Sequence, residues 1–512
     1  MVSSDVTSLL QGASRCKVEG MYRPSRHLLT GISLLTVLMS ACDDGTGPSK
    51  PGMNVVRVTL RDTVGGIHPL DVVVLTAAGL AAGQVEVQFQ PLFTGADGES
   101  RVYVHRTDDS VFRFDAVDTT DPSGLVTVQT QHGFTTGTAG LRINVPALGY
   151  ADTLWFSIDP GRATGVRVAP ADTAVYAARQ FVLRPYTVDR FRNRRPDSSF
   201  QFSTLSGPVT VSAAGTVSTT DIGRAILVVR TSQFTDTAKV SVVPQGWVAT
   251  QKFYAGNGGP EGIFLVQLDG SGRDSLTSGL DNSFIPQGFA WSRDGQQLVL
   301  TRGGTLYLLQ PGGTEQPFVT MTGSLNTAAR FSADGQWVYF ALAYGSDTER
   351  AGLYRVGRDG SALAHIGDDT SHFGVDYFAA PSHDGQSVAY SSTRSPCGVE
   401  TCIRVLDIAT NRDRMYGTQD YLVHGAMAAW SPVEDLIAFN SGIALSLIHS
   451  DGTALRLLAS DVGYVKWMDW SPDGEWLIVA DDRGVELFGV HRGGLRLPLA
   501  QFLSYGATSW RP

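Results

Sequence analysis

One short pattern limits what this chain can fold into. It reads Trp291-Ser-Arg-Asp294-Gly295, Phe331-Ser-Ala-Asp334-Gly335, Pro381-Ser-His-Asp384-Gly385, Trp430-Ser-Pro-Val-Glu434, Trp470-Ser-Pro-Asp473-Gly474 and finally Trp510-Arg-Pro512. The first five copies are each followed by an apolar run, such as Leu298 to Leu300 or Leu477 to Val479. A second turn pattern interleaves with the first, as in Leu268-Asp-Gly-Ser, Arg358-Asp-Gly-Ser and Ser450-Asp-Gly-Thr. Aspartate accepts a local backbone N–H in such turns and glycine takes the positive φ that other residues resist. Two turns per repeat imply four short strands per unit.

A four-stranded unit cannot bury both of its faces alone, but units packed radially cover one another. The leading aromatics Trp291, Phe331, Trp430, Trp470 and Trp510 are expected to fill the gaps between units. The last copy stops where its following strand should come, and a suitable strand stands before the first copy, at Gln251 to Gly256. The expected architecture is therefore all-β: a six-bladed β-propeller over residues 248–512, closed by terminal strands that share a blade. Its motif resembles the TolB-like propeller family. That resemblance implies an envelope module that binds a partner through one propeller face. The α/β domain that precedes the propeller in that family is missing here, and the fourth copy departs at Val433 and Glu434.

Upstream, residues 53–160 alternate apolar and polar residues in short runs, for example Gln84 to Phe89 and Leu125 to Val128, which predicts a β-sandwich. Asp121-Pro-Ser-Gly-Leu-Val-Thr-Val resembles bacterial immunoglobulin-like domains of the invasin kind. Residues 163–245, with Val166-Arg-Val-Ala-Pro and Ala238-Lys-Val-Ser-Val-Val, resemble the second group of bacterial Ig-like domains. The fold class expected is thus a propeller behind two N-terminal Ig-like β-sandwiches. Arg190, Arg192, Arg194 and Arg195 fall in a hairpin loop of the second, which reads either as a solvated loop or as a grip on anionic envelope polymer.

The first 41 residues read as a signal peptide, with Met21 as an alternative start. Leu28 to Met39 is too short an apolar run for a permanent span, and Arg23 and Arg26 flank it. It ends in Leu-Met-Ser-Ala-Cys42, which resembles the lipobox of bacterial lipoproteins and implies a lipid on Cys42. Residues 42–52 form a polar tether with a reach of about 20 Å. The expected location is the cell envelope, with the membrane contacted through that lipid. Cys397 and Cys402 are then the candidates for a disulfide.

From Cys42 onward, 36 basic residues face 47 acidic ones, a net charge of −11. That balance argues against a nucleic-acid partner. No nucleophile elbow, zinc-binding helix or phosphate-cradling loop occurs, so neither a catalytic residue nor a metal or other cofactor is assigned. The segments entering each inner strand offer Gln287, Asn326, Asp376, Tyr377, His424, Lys466, Trp467 and Tyr505 as a ring at the channel mouth. The leading expectation is a non-enzymatic scaffold that binds an envelope protein or a peptidoglycan-associated partner. A glycan-active hydrolase or lyase at that mouth and an adhesin working through the Ig-like arms are the alternatives.

Overall fold

The computed structural model describes residues 52–512 apart from internal segments, chiefly 93–101, 254–259, 278–287, 326–328, 343–350, 368–374, 423–425 and 500–505. The signal segment, Cys42 and most of the tether lie outside the described residues. The chain divides into two compact units, residues 1–159 and 160–512. Apart from one 3-10 turn at Pro146–Leu148, every described element is a strand.

The first unit is a two-sheet β-sandwich. One sheet joins Gly52–Arg57, Ile67–Leu75, Leu125–His132 and Val102–Arg106, and a five-stranded sheet centred on Gly137–Val145 forms the other. Strand Leu125–His132 alternates half-buried and buried residues along its whole length, as expected where one face meets a core. Val72, Val126 and Val128 from one sheet and Phe89, Leu141 and Phe156 from the other make up that core. Within it, the His132 ring is wholly buried and packs against Phe156.

The second unit opens with a smaller β-sandwich whose core includes Val166, Val168, Leu183, Val217, Leu227 and Val240. The rest of the unit is a β-propeller. Its described residues hold six successive four-stranded antiparallel sheets. The sheet of the last strand, Thr508–Arg511, is completed from upstream: that strand pairs with Trp247–Phe253 in the register Val248 to Trp510. The strand begins four residues before the position expected from sequence, because Trp247 already pairs with Arg511. Each inner strand neighbours the inner strand of the next sheet, and the sixth neighbours the first.

The cores lie between sheets. Val299, Leu306, Phe331 and Phe340 fill the gap between the first and second; Leu436, Leu447, Trp470 and Leu477 fill that between the fourth and fifth. Tyr176 of the small sandwich packs into the cluster shared by the fifth, sixth and first sheets, and its hydroxyl donates to the Gly246 carbonyl.

Candidate functional site

The repeated motif sets the inner strands in place through serine. Ser332 Oγ donates to Asp334 Oδ1 at 2.5 Å and accepts the Trp337 N–H at 3.0 Å, while the Gln336 N–H donates to the same aspartate. Ser292, Ser382 and Ser471 repeat this arrangement with Asp294, Asp384 and Asp473. Gly295, Gly335, Gly385 and Gly474 hold φ between 64° and 73°, in the left-handed region. The Ser292 and Ser332 hydroxyls are the main reason that the Asp294 and Asp334 carboxyls sit below the usual carboxylate range.

The fourth copy is reshaped without aspartate and glycine. Glu434 instead accepts from His491 Nε2 of the fifth sheet at 2.8 Å. Val433 lies so close to Gly474 that a Cβ there would come within 2.4 Å of it. Arg511, standing where the motif has serine, donates to the Gly295 carbonyl and lies over the Trp291 ring.

These turns hold the ends of six inner strands around a channel. Near the turns, a cavity of about 100 Å³ is lined by Arg293, Arg330, Asp469, Ser509 and the aromatics Trp291, Phe331, Trp430, Trp470 and Trp510. Two arginines cross it. Arg330, on the second sheet, donates to Asp469 Oδ1 at 2.6 Å and to the Met468 carbonyl at 2.9 Å, both on the fifth. Arg293, after the first inner strand, donates to the Pro432 carbonyl at 2.5 Å, after the fourth. Both links run between sheets three places apart in a ring of six, so each spans the diameter. The other Asp469 oxygen accepts from Ser509 Oγ and the Trp510 N–H, leaving neither oxygen of this carboxylate free. Burial pushes the Arg293 guanidinium below its ordinary value, with the Asp469 charge opposing that shift.

Above this level two of the inner strands are irregular. Phe378 and Met427 sit in bulges three positions before Pro381 and Trp430, with φ of 55° and 53°. Such a backbone is unfavourable for side chains of this size. The Phe378 ring meets Trp467 of the fifth sheet edge-on, 6.4 Å between centroids, and the Arg330 guanidinium lies 5.7 Å from the Trp467 ring.

The residues expected to form the mouth are scattered in their environments. Asp376 and Trp467 do not stand at a solvent-facing rim. The Asp376 side chain is fully buried and ion-paired with Arg394, and Trp467 is buried under Phe378. The physical reason is the same for both: each begins an inner strand that packs inward, so its side chain meets protein before solvent. Tyr377 is half-buried beside Phe378, and Lys466 is half-buried. Gln287, Asn326, His424 and Tyr505 lie outside the described residues. The structure joins Cys397 to Cys402, their Cα atoms 5.6 Å apart, in the turn that follows Arg394. Among the described residues no three His, Cys, Asp or Glu side chains converge as metal ligands.

Sequence reasoning passed over Arg293, Arg330 and Asp469. A signal existed: the residue before each leading motif position reads Ala290, Arg330, Ala380, Ala429, Asp469 and Ser509. A cation and an anion three repeats apart in an otherwise small-residue register become opposite neighbours once the ring is closed.

No family model matches the chain, and no curated protein sequence matches it. Among solved structures it is similar to TolB from Acinetobacter baumannii at 15% identity and a TM-score of 0.42, over 61% of this chain and 83% of that one. A protein assigned as TolB from Agrobacterium tumefaciens has 17% identity and a TM-score of 0.39, over 50% of this chain and 89% of that one. Hydrazine synthase from Kuenenia stuttgartiensis has 13% identity and a TM-score of 0.32, over 45% and 70%. No functional weight rests on likenesses of this size.

Proposed function

We propose that the chain is a cell-envelope lipoprotein, held at a membrane by Cys42, in which two Ig-like sandwiches carry a closed six-bladed propeller that acts as a binding scaffold. The observation that carries the scaffold reading is the pairing of charge in the channel. Asp469 is tied to Arg330, Ser509 and Trp510, and Asp376 to Arg394. These carboxylates have structural partners in place of the open, mutually facing arrangement that acid–base chemistry on a substrate needs. With the waist crossed by two arginines and Phe378 set on Trp467, a partner meets the ends of the propeller and not its bore.

The end where the inner strands begin is the better platform. There Tyr464 is 76% exposed beside Lys466, the kind of aromatic and cationic pair that anchors protein and peptidoglycan-linked ligands. The test has two arms. Cell fractionation of the Cys42→Ala protein is expected to move it from membrane to soluble fraction; continued membrane retention rejects the lipid anchor. Sedimentation with purified peptidoglycan sacculi, alone and with an envelope extract, is expected to retain the native chain and to lose a folded Tyr464→Ser, Lys466→Glu variant. Equal retention of both proteins rejects this end as the binding surface. Turnover of a glycan that disappears in a folded Asp469→Asn variant would favour the hydrolase or lyase reading instead.

A further inference from the structure

The small sandwich of the second unit carries a basic face that the propeller reading does not use. Its three-stranded sheet joins Ala163–Arg167, Tyr186–Asp189 and Arg194–Arg195. Val166 and Val168 enter the core, so alternation turns Arg167 outward. Register pairs Arg167 with Tyr186 and Arg194 with Val188, which places all four on the same face. Arg184 extends that face, exchanging backbone hydrogen bonds with Ala169. Arg190 and Arg192 occupy the hairpin tip. All five of Arg167, Arg184, Arg190, Arg192 and Arg194 are exposed.

This is a built loop. Asp189 is buried and accepts the N–H groups of Gly161, Phe191 and Asn193 together with the Asn193 side-chain amide. Burial works against its charge, but those hydrogen bonds outweigh it and hold the carboxyl below the usual range. Arg192 sits at φ 67° at the tip, its N–H on the Asp189 carbonyl. The Arg190 guanidinium lies 4.4 Å from the Phe191 ring centre and that of Arg194 3.9 Å from Tyr186. Stacking fixes the planes of these two forks while their N–H edges stay available for oxyanions.

None of the five is ion-paired among the described residues, although the chain from Cys42 on carries an excess of acid. The one carboxylate inside the loop, Asp189, is consumed by the backbone. Like charges gathered this closely repel one another and cost stability unless a counter-charge arrives. At about 3.3 Å per strand residue the arginines form a stripe roughly 15 Å long, which suits a row of charges better than a single ion. Each ring in the stripe carries a guanidinium on one face, so the stripe presents charge more than apolar surface. We propose that this face binds a linear anionic glycan, its sugar carboxylates or phosphates paired with the arginine forks.

The full chain carrying Cys42→Ala is titrated with fluorescently labelled alginate as the anionic-glycan probe, at about 50 mM and about 200 mM salt. Saturable binding that weakens with salt is expected, and a triple variant, Arg190→Gln with Arg192→Gln and Arg194→Gln, is expected to bind at least about tenfold more weakly. Because these side chains are exposed and their removal relieves like-charge repulsion, the variant should unfold at or above the native midpoint, and Arg167→Gln supplies a second reading away from the loop. Equal affinity of native and variant proteins, no measurable binding, or binding confined to phosphatidylglycerol vesicles or to polyphosphate each overturns the assignment. None of these outcomes depends on whether Cys42 is lipidated or on what the propeller binds.

Discussion

The leading tryptophans of the repeat are equivalent in sequence but not in what their indole nitrogens do. Trp470 Nε1 donates to the Ala429 carbonyl of the neighbouring sheet at 2.9 Å, whereas the indole nitrogen of Trp430 is buried without a partner. Trp470→Phe removes this hydrogen bond across the sheet gap, so it should cost about 0.5–1.5 kcal/mol beyond the lost ring area. Trp430→Phe relieves an unpaired N–H and should cost less than Trp470→Phe. Urea denaturation of the two variants decides it, and equal losses would show that ring volume alone governs these sites. Trp470→Ala, which empties the site, should cost about 3–5 kcal/mol. The serine of the motif carries a similar asymmetry. Ser332 gives one hydrogen bond and accepts another, so Ser332→Ala strands the Trp337 N–H as well as loosening Asp334.

At the scale of elements, the repeat exposed the turns and strands because the physics there is local: an Asp-Gly turn and the strand after it are set by residues that lie side by side. The bulges at Phe378 and Met427 were not legible, because nothing in Asp376-Tyr-Phe-Ala-Ala or Ala426-Met-Ala-Ala asks for a left-handed residue. The first bulge sets Phe378 against Trp467, and the second sets Met427 against the core between the fourth and fifth sheets. The mouth residues failed for a related reason. Asp376 looks polar and available in sequence, and only the turn that brings Arg394 back beside it accounts for its burial. His132 in the first sandwich is another residue whose meaning is set by what covers it. Burial is the main cause that lowers its affinity for a proton, followed by the neighbouring His68, and Asp62 opposes both. A histidine whose folded pKa is depressed stabilises the fold above its unfolded pKa, near 6.5, and that contribution is lost as pH falls through the folded value. The thermal midpoint of the first unit should therefore decline on acidification from about pH 6.5, and the decline should be shallower in His132→Phe. Parallel profiles for the two proteins would place the acid sensitivity elsewhere, with Asp62, whose carboxyl sits below its ordinary value, as the next candidate.

The whole molecule depends on relations that only closure creates. Arg330 and Asp469 are 139 residues apart, yet they face each other across the channel because three repeats make half a turn of the ring. Their side chains are 17% and 13% exposed, so neither charge is well solvated if its partner is lost. Removing one partner of such a pair should cost about 3 kcal/mol, because the remaining charge stays largely buried. Replacing both by apolar residues of similar size should restore much of that loss. A double-mutant cycle with Arg330→Met and Asp469→Leu tests this. A coupling energy of at least about 1 kcal/mol is expected, with the double variant more stable than the worse single one. Additive losses would mean that the two side chains do not sense each other, and that this bridge does not help to hold the ring. The cycle also bears on function. If the bridge is structural, the double variant should still bind sacculi as the native chain does, because the proposed platform lies at the opposite end of the inner strands. Loss of binding in a stably folded double variant would instead bring the channel waist into the ligand site and reopen the case for chemistry there.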